Sequence, residues 1–345
     1  MTKVFTPPIQ SAVNQRIIWL DCLKGFAMLC VVLGHVCGGI AHSGQVASDC
    51  LSANLADAIY SFHMPLFMLI SGLAFSIAYV SESWRPKTEK ILRQMLNLFT
   101  VYVIFSVIQV VPHLLFPGVG QTTATVSNFI SIPWLPFGLL WYLYSLIIMY
   151  GVTLMGLLWV GRRYMWLLPI SLLAQFILLD APYVREFALS KTVEFFPFFL
   201  IGVLWRQKAE CGWPIAVSFL VASIFGYMNG NTITGFYVAL GASLFALHAF
   251  AHISFLDNAF LNLVGRYSLE VYLLHPFITA PARLVINKLG GASEFVTLIV
   301  SFAAATLIPI AVAWSLKKIG LHDPLFRPVR WFANWRTAKG GSITL

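Results

Sequence analysis

Charged residues are scarce in this sequence of 345 residues. Asp, Glu, Lys and Arg make up 10% of it, whereas about a quarter is usual for soluble globular domains. Acidic residues are fewer than basic ones: there are 13 Asp and Glu against 22 Lys and Arg, which gives a formal net charge of +9. This scarcity excludes a soluble globular protein, and it excludes intrinsic disorder, which requires low hydrophobicity together with high net charge.

Cysteine is also sparse, and its spacing excludes the common metal motifs. The five cysteines include no CxxC pair and no zinc-ligand spacing, so we expect no metal site and interpret them as packing residues. A disulfide between Cys37 and Cys50 is left open. The sequence also lacks a GxSxG nucleophile elbow, the motif that marks α/β-hydrolases.

Hydrophobic residues dominate instead, at 59% of the chain, with 15% aromatic residues. A membrane span requires about 20 mostly apolar residues, and on this criterion we predict an all-α polytopic membrane protein of about ten transmembrane helices. The predicted spans are 17–40, 57–80, 95–116, 135–158, 165–180, 193–205, 213–229, 233–250, 259–279 and 295–316.

The cations are distributed unequally between the two sides of these spans. Sixteen of the 22 Lys and Arg residues fall on the side that includes both termini, and four fall on the other. Because cytoplasmic loops carry the excess of Lys and Arg, we predict two cytoplasmic termini: a segment at 1–16, a membrane domain at 17–316 and a basic tail at 317–345. The same distribution accounts for the net charge without a nucleic-acid partner.

Ionisable residues inside a span are costly and point to function, and the first span has the densest set. Asp21 and Lys24 are three residues apart, close enough for an ion pair. His35 lies 11 residues after Lys24, three turns further along the same face and about 16 Å away along the axis. A neutral imidazole can abstract a proton from a hydroxyl group near physiological pH. The alternative interpretation is that Asp21 and Lys24 form a buried ion pair that only fixes helix packing and has no catalytic role.

Polar residues also mark three other predicted spans. His63 is expected about two turns into the second span, where Pro65 can kink the helix, and Ser71 lies further along. In the ninth span Ser268, Tyr272 and His275 are spaced to share one face, with a kink expected at His275-Pro276. Glu194 opens the sixth span and either caps it or lines a cavity. His42 and His322 are expected to be exposed.

Five segments of the sequence resemble acyltransferase family 3 and occur in the order found in that family. Its members are the integral-membrane O-acyltransferases of surface glycans, peptidoglycan, lipids and some antibiotics. The second segment is similar to a branch with an FHMPLF…SG pattern. The segments are Arg16–His35, Ser61–Gly72, Gly138–Leu143, Phe195–Gly202 and Ser268–His275. The resemblance runs from about residue 16 to 318 and implies a ten-span fold.

The resemblance also implies roles for individual residues. His35 matches the family's first-helix histidine, a candidate catalytic base, and Tyr272 and His275 match the polar pair of the late span. Lys24 stands where many members have Arg and would bind the phosphates of an acyl-CoA donor. Apart from the resemblance, Asp21 beside it and the cytoplasmic loop cation Arg93 are further candidates for the donor site. Lys lacks the bidentate fork of Arg, so the sign of the charge is kept but not its geometry.

The function that follows is O-acyl transfer, with acetyl-CoA as the expected donor and co-substrate and no bound cofactor. The acceptor is a hydroxyl group of a cell-surface glycan or lipid-linked saccharide, and the place is the inner (cytoplasmic) membrane. A proton-coupled transporter is the main alternative, and a non-catalytic assembly protein or N-acylation of an amino sugar are others. Acyl chain length, direct transfer or an acyl-enzyme, and a homo-oligomeric state are left open.

Overall fold

The computed structural model describes residues 17–43, 50–115, 126–178, 189–205, 232–290 and 292–338. These ranges are helical and contain no β-strand; an isolated β-bridge joins Val80 and Pro86. The all-α fold class is therefore confirmed.

Fifteen α-helices lie in the described ranges, and short 3-10 turns precede or follow several of them. In chain order they are α1 (Ile18–Ala41), α2 (Leu51–Tyr60), α3 (His63–Tyr79), α4 (Thr88–Leu115), α5 (Val126–Ile130), α6 (Trp141–Val160), α7 (Leu167–Leu178), α8 (Ser190–Trp205), α9 (Thr232–His252), α10 (Ala259–Arg266), α11 (Ser268–Leu274), α12 (Pro276–Lys288), α13 (Glu294–Lys318), α14 (His322–Phe326) and α15 (Pro328–Ala338).

Six segments of the described chain are long and apolar enough to cross a bilayer, and α11 with α12 makes a seventh if that bent pair is one span. The protein is therefore a multi-pass membrane protein. The predicted span 213–229 lies outside the described residues, and the 16 residues of α8 fall short of the usual 20. The count of ten spans and the orientation stay predictions. The six are Ile18–Ala41, Leu51–Tyr79, Thr88–Val111, Gly138–Val160, Gly235–His252 and Glu294–Lys318.

The second predicted span is broken, and not where the sequence placed the kink. Helix α2 ends at Tyr60 and α3 begins at His63, so His63 is the first residue of a helix and not two turns into one. Pro65 falls in the first turn of α3, where a missing backbone N–H costs little. The break therefore lies before the proline and not at it, since a proline fits the first turn of a helix without loss of a hydrogen bond.

The ninth predicted span is divided into three helices. Helix α10 ends before Tyr267, and α11 ends before His275. The kink expected at His275-Pro276 is confirmed, and α11 and α12 are bent there by 54°. Beyond the bend, Arg283 donates a hydrogen bond to the carbonyl of Gly39, which joins α12 to the end of α1.

Four glycines set the two tightest helix crossings of the described bundle. Gly25 of α1 faces Gly265 of α10, and Gly72 of α3 faces Gly202 of α8. At each of the four, a methyl group would overlap a backbone carbonyl of the opposite helix. Small residues permit such close approach in lipid, where dispersion contacts rather than water exclusion hold helices together.

The described cysteines Cys22, Cys30, Cys37 and Cys50 are free thiols in this structure. Cys50 instead caps α2, since its sulfur accepts the backbone N–H of Ala53. Cys211 lies outside the described residues.

The start of the tail packs onto the bundle. Phe326 of α14 is 1% exposed, and its ring centroid lies 5.5 Å from that of Phe105 on α4. His42 is exposed as expected, but the expectation for His322 is wrong, since it is 2% exposed. A histidine in a polar tail is expected to be solvated, and no local pattern indicates its partner, Glu270, 52 residues earlier.

The crossings predict which glycines tolerate a side chain. Gly72→Ala and Gly202→Ala should each lower the free energy of unfolding by about 1–3 kcal/mol, the usual cost of overpacking. Gly235→Ala is the matched control, because nothing lies within 4 Å of its added methyl group and alanine favours a helix. Unfolding in mixed micelles with increasing SDS measures all three, and equal stability of the three variants would contradict the crossing.

Candidate functional site

A cavity of about 260 Å³ opens between α1, α2, α3, α6, α8 and α11. Aromatic and aliphatic side chains make up most of its wall, with a few polar groups converging on it, as in most small-molecule sites. Its polar lining consists of His35, Tyr60, His63, Tyr142, Glu194 and Tyr272, joined by Lys191.

His35 reaches the cavity from α1. Met28 and Val31 line the same cavity from the same helix face, at the three- and four-residue spacing that brings side chains into one row. The hydroxyl of Tyr60, the last residue of α2, lies 3.3 Å from Nδ1 of His35. Tyr60 comes this close to α1 because it faces Gly38, where a Cβ would be 3.0 Å from the hydroxyl oxygen.

Two further histidines surround His35. The ring of His275 stacks on that of His35 with centroids 5.3 Å apart, and the ring of His63 lies 5.2 Å from that of Tyr60. His63 donates its Nδ1–H to the carbonyl of Ile59 at 2.8 Å, and His275 donates to Val271 at 2.9 Å. These bonds assign both rings the tautomer whose Nε2 carries the lone pair.

Hydrogen bonds from tyrosine and serine hydroxyl groups connect other helices around the cavity. Tyr272 donates a hydrogen bond to the carbonyl of Leu139. Ser71 donates to the carbonyl of Phe67 at 2.8 Å, and its oxygen lies 2.6 Å from the hydroxyl of Tyr142. Because Ser71 already donates to a carbonyl, Tyr142 is the donor to Ser71. Ser71 thus supports the cavity through Tyr142 and does not itself line it.

Glu194 lines the cavity. Of the two roles expected for it, this favours a cavity residue over a helix cap. Its carboxylate lies 2.8 Å from the ammonium of Lys191, one turn earlier in α8. The same ammonium lies 5.5 Å from the ring centroid of Phe195, and the ring of Trp141 stacks on that of Phe195 with centroids 5.6 Å apart. This ion pair and the two aromatic rings form one polar and aromatic section of the wall.

The remaining predicted residues lie away from the cavity. The expected ion pair of Asp21 and Lys24 is present at 3.5 Å, with side chains 6% and 27% exposed. Lys24 is one turn before Met28 on the row that leads to His35. Arg93 lies on an exposed face of α4 and pairs with Glu89, and Ser268 begins α11 without reaching the cavity lining.

Sequence reasoning assigned no role to three lining residues. Tyr60 precedes the FHMPLF pattern, Tyr142 lies inside the Gly138–Leu143 segment, and Lys191 was counted only as an outer-side cation. The position of Tyr142 within a family segment was a usable signal. Nothing in the sequence pointed to Tyr60, because its place beside His35 depends on the break between α2 and α3.

The contact between Ser71 and Tyr142 can be tested by stability. Ser71→Ala should leave a buried tyrosine hydroxyl without its acceptor and cost about 1–3 kcal/mol. The double change Ser71→Ala with Tyr142→Phe removes both partners and should recover most of that loss. Thermal aggregation of the detergent-solubilised protein, followed by size-exclusion chromatography, measures both, and a double variant no more stable than Ser71→Ala would refute the contact.

Comparison with known proteins identifies a family for most of the chain. The family model described as an acyltransferase domain matches residues 17–317. Nodulation protein NolL of Mesorhizobium japonicum is 25% identical over 215 residues, which cover 61% of this chain and 53% of that protein. The chain thus aligns with about half the length of this curated relative. No solved structure matches it significantly.

The match to the acyltransferase model extends from the first residue of the described α1 segment almost to the end of α13, so it includes every helix that contributes to the cavity. An all-helical multi-pass bundle is also what that family's resemblance implied. The chain therefore belongs to the acyltransferase 3 family.

Proposed function

We propose that the protein transfers an acyl group, specifically acetyl, from cytosolic acetyl-CoA to a hydroxyl group of a cell-surface glycan or lipid-linked saccharide. The observation that carries the proposal is the placement of His35 in the cavity with its Nδ1 at the hydroxyl of Tyr60. If Nδ1–H donates to the tyrosine oxygen, Nε2 keeps the lone pair that a general base needs.

The proposed reaction exchanges one bond for another around that imidazole. The acceptor hydroxyl gives its proton to Nε2 of His35, and the thioester carbon of acetyl-CoA gains a C–O bond and loses its C–S bond. The proton then leaves with the CoA thiolate, so the products are an O-acetyl ester and CoA thiol. The base is restored without any cofactor.

The size and lining of the cavity support a small acyl group and a sugar. Its volume of about 260 Å³ is slightly below the usual range of ligand pockets, about 300–1,000 Å³, and this favours acetyl over a long acyl chain. The rings of Trp141 and Phe195 offer apolar faces for a sugar ring, and Lys191 and Glu194 offer a donor and an acceptor for its hydroxyl groups.

The donor side is proposed from charge. The excess of Lys and Arg supports a cytoplasmic position for both termini and the start of α1, in a protein of the inner membrane. Lys24 would then lie between the cytoplasm and His35, where the phosphates of CoA would enter, and Arg93 would serve as an outlying cation. A transporter function is disfavoured because the family is one of transferases.

The role of His35 predicts a large effect on turnover. His35→Ala should lower acetyl transfer by about 10²–10⁴, the usual contribution of a general base, with insertion and folding retained. Labelled acetyl-CoA added to membranes of the source cells, followed by counting of the labelled glycan and lipid fractions, measures the transfer. His252→Ala, at an exposed histidine at the end of α9, is the matched control. Near-normal transfer by His35→Ala would remove His35 from the mechanism.

The role of Lys24 predicts an effect on donor affinity. Lys24→Arg keeps the charge and should retain activity within several-fold. Lys24→Met should raise KM for acetyl-CoA more than it lowers kcat, since a charge-assisted hydrogen bond is worth about 1.5–3 kcal/mol. Steady-state kinetics over a range of acetyl-CoA concentrations separates the two constants.

The double change Asp21→Asn with Lys24→Met distinguishes donor binding from neutralisation of Asp21. If Lys24 only compensates the buried carboxylate, the double variant should recover the activity that Lys24→Met loses. Recovery with an unchanged donor KM would assign Lys24 to structure and overturn its role in donor binding.

A further inference from the structure

His322, in the first turn of α14, lies between two carboxylates. Its Nε2 is 2.7 Å from Oε1 of Glu270 on α11, and its Nδ1 is 3.0 Å from Oδ1 of Asp323. The side chains of His322 and Glu270 are 3% and 5% exposed, whereas that of Asp323 is 47% exposed. The contact thus joins the tail to the inside of the bundle.

The two contacts fit a charged imidazole. An ionised carboxylate only accepts hydrogen bonds, so an imidazole bonded to two ionised carboxylates donates from both nitrogens and is the imidazolium. The imidazolium neutralises Glu270, whose buried charge would be strongly destabilising without a partner. The hydrogen bond from His322 also lowers the pKa of the Asp323 carboxyl, which keeps that acceptor ionised.

Glu270 belongs to the helix that supplies two residues of the site. It precedes Tyr272 by two residues and His275 by five, and α11 has only seven residues between its two breaks. So short a helix has little stability of its own and depends on tertiary contacts for its position. At Tyr267, the residue just before α11, the ammonium of Lys317 lies 4.1 Å from the centroid of the tyrosine ring.

Helix α14 is itself anchored, so it can hold another element in place. Phe326, one turn after His322, is 1% exposed and packs on Phe105 of α4. The backbone of α14 is therefore fixed against a long helix of the bundle. An ion pair from this anchored helix to α11 restrains the height and rotation of α11.

We propose that His322 is a positioning residue for acyl transfer, which acts through Glu270 to hold α11 and thereby sets Tyr272 and His275 against His35. His322 lies beyond residues 17–317, the part of the chain that matches the family model. The catalytic unit of this protein then includes the first helix of the tail. The effect on turnover rests on the proposed function, whereas the effect on α11 does not.

Two variants separate positioning from general destabilisation. His322→Gln places an amide nitrogen near the position of Nε2 and removes the charge and the contact to Asp323. Glu270→Gln with His322→Gln makes a neutral amide pair that can hydrogen-bond without leaving a buried charge. His252→Gln is the matched control, the same change at an exposed histidine remote from α11.

Two measurements are made on the full chain in nanodiscs of phosphatidylethanolamine and phosphatidylglycerol. The first is amide hydrogen exchange in the peptide that spans 268–275, compared with a peptide from α3. The second is acetyl transfer, with kcat and the KM for acetyl-CoA determined separately after addition of acceptor-containing membrane extract.

In His322→Gln, exchange in 268–275 should rise while α3 is unchanged. Its kcat should fall by about tenfold or more, since a misplacement of about 1 Å can cost about 100-fold, with KM within about twofold. The double variant should return kcat to within about threefold of wild type. His252→Gln should behave as wild type in both measurements.

Unchanged exchange in 268–275, or raised exchange with a normal kcat, would overturn the proposal. A raised KM at constant kcat would overturn it as well and assign His322 to donor binding. If the wild-type protein transfers no label from acetyl-CoA, the proposed donor is wrong, and the exchange measurement still decides whether His322 holds α11.

Discussion

Close contact between helix backbones at four glycines is the constraint on which the site depends. Gly25 and Gly265 bring α1 against α10, and Gly72 and Gly202 bring α3 against α8. The first crossing places His35 near the helix that follows α10 and carries His275. The second places His63 near Glu194. In a bilayer, water exclusion does not drive helices together, so the fit at these glycines decides how closely the four helices, and the side chains that face the cavity, approach one another.

Two of the site histidines share one local arrangement. His63 and His275 each lie at a helix break just before a proline, at Pro65 and Pro276, and each donates Nδ1–H to the carbonyl four residues earlier. The main chain thus fixes the tautomer of both rings, and no carboxylate is needed to orient them. Each carbonyl also accepts a backbone N–H, from Phe62 at Ile59 and from His275 at Val271. The bond to the main chain leaves Nε2 of each ring available.

The fold class and the polar face of α1 could be read from the sequence because both depend on local pattern. Hydropathy identifies spans, and the spacing of Asp21, Lys24 and His35 follows from one helix. The break at Phe62 could not be read, since the nearby proline is compatible with either a kink or a helix start. Tyr60 and Lys191 were missed because their places in the cavity depend on how α2 and α8 pack. His322 was misjudged for the same reason: its partner lies on another helix.

The ion pair of Asp21 and Lys24 has a further consequence for how the protein is made. Gly25 must meet Gly265, which the ribosome adds 240 residues later, so α1 enters the bilayer long before α10 exists. During that interval α10 cannot compensate a charge in α1. Lys24 is three residues from Asp21 and pairs with it inside the same helix. The first helix is therefore electrically neutral in lipid before its partner is made, and the crossing of α1 with α10 forms only when the last third of the chain is being inserted.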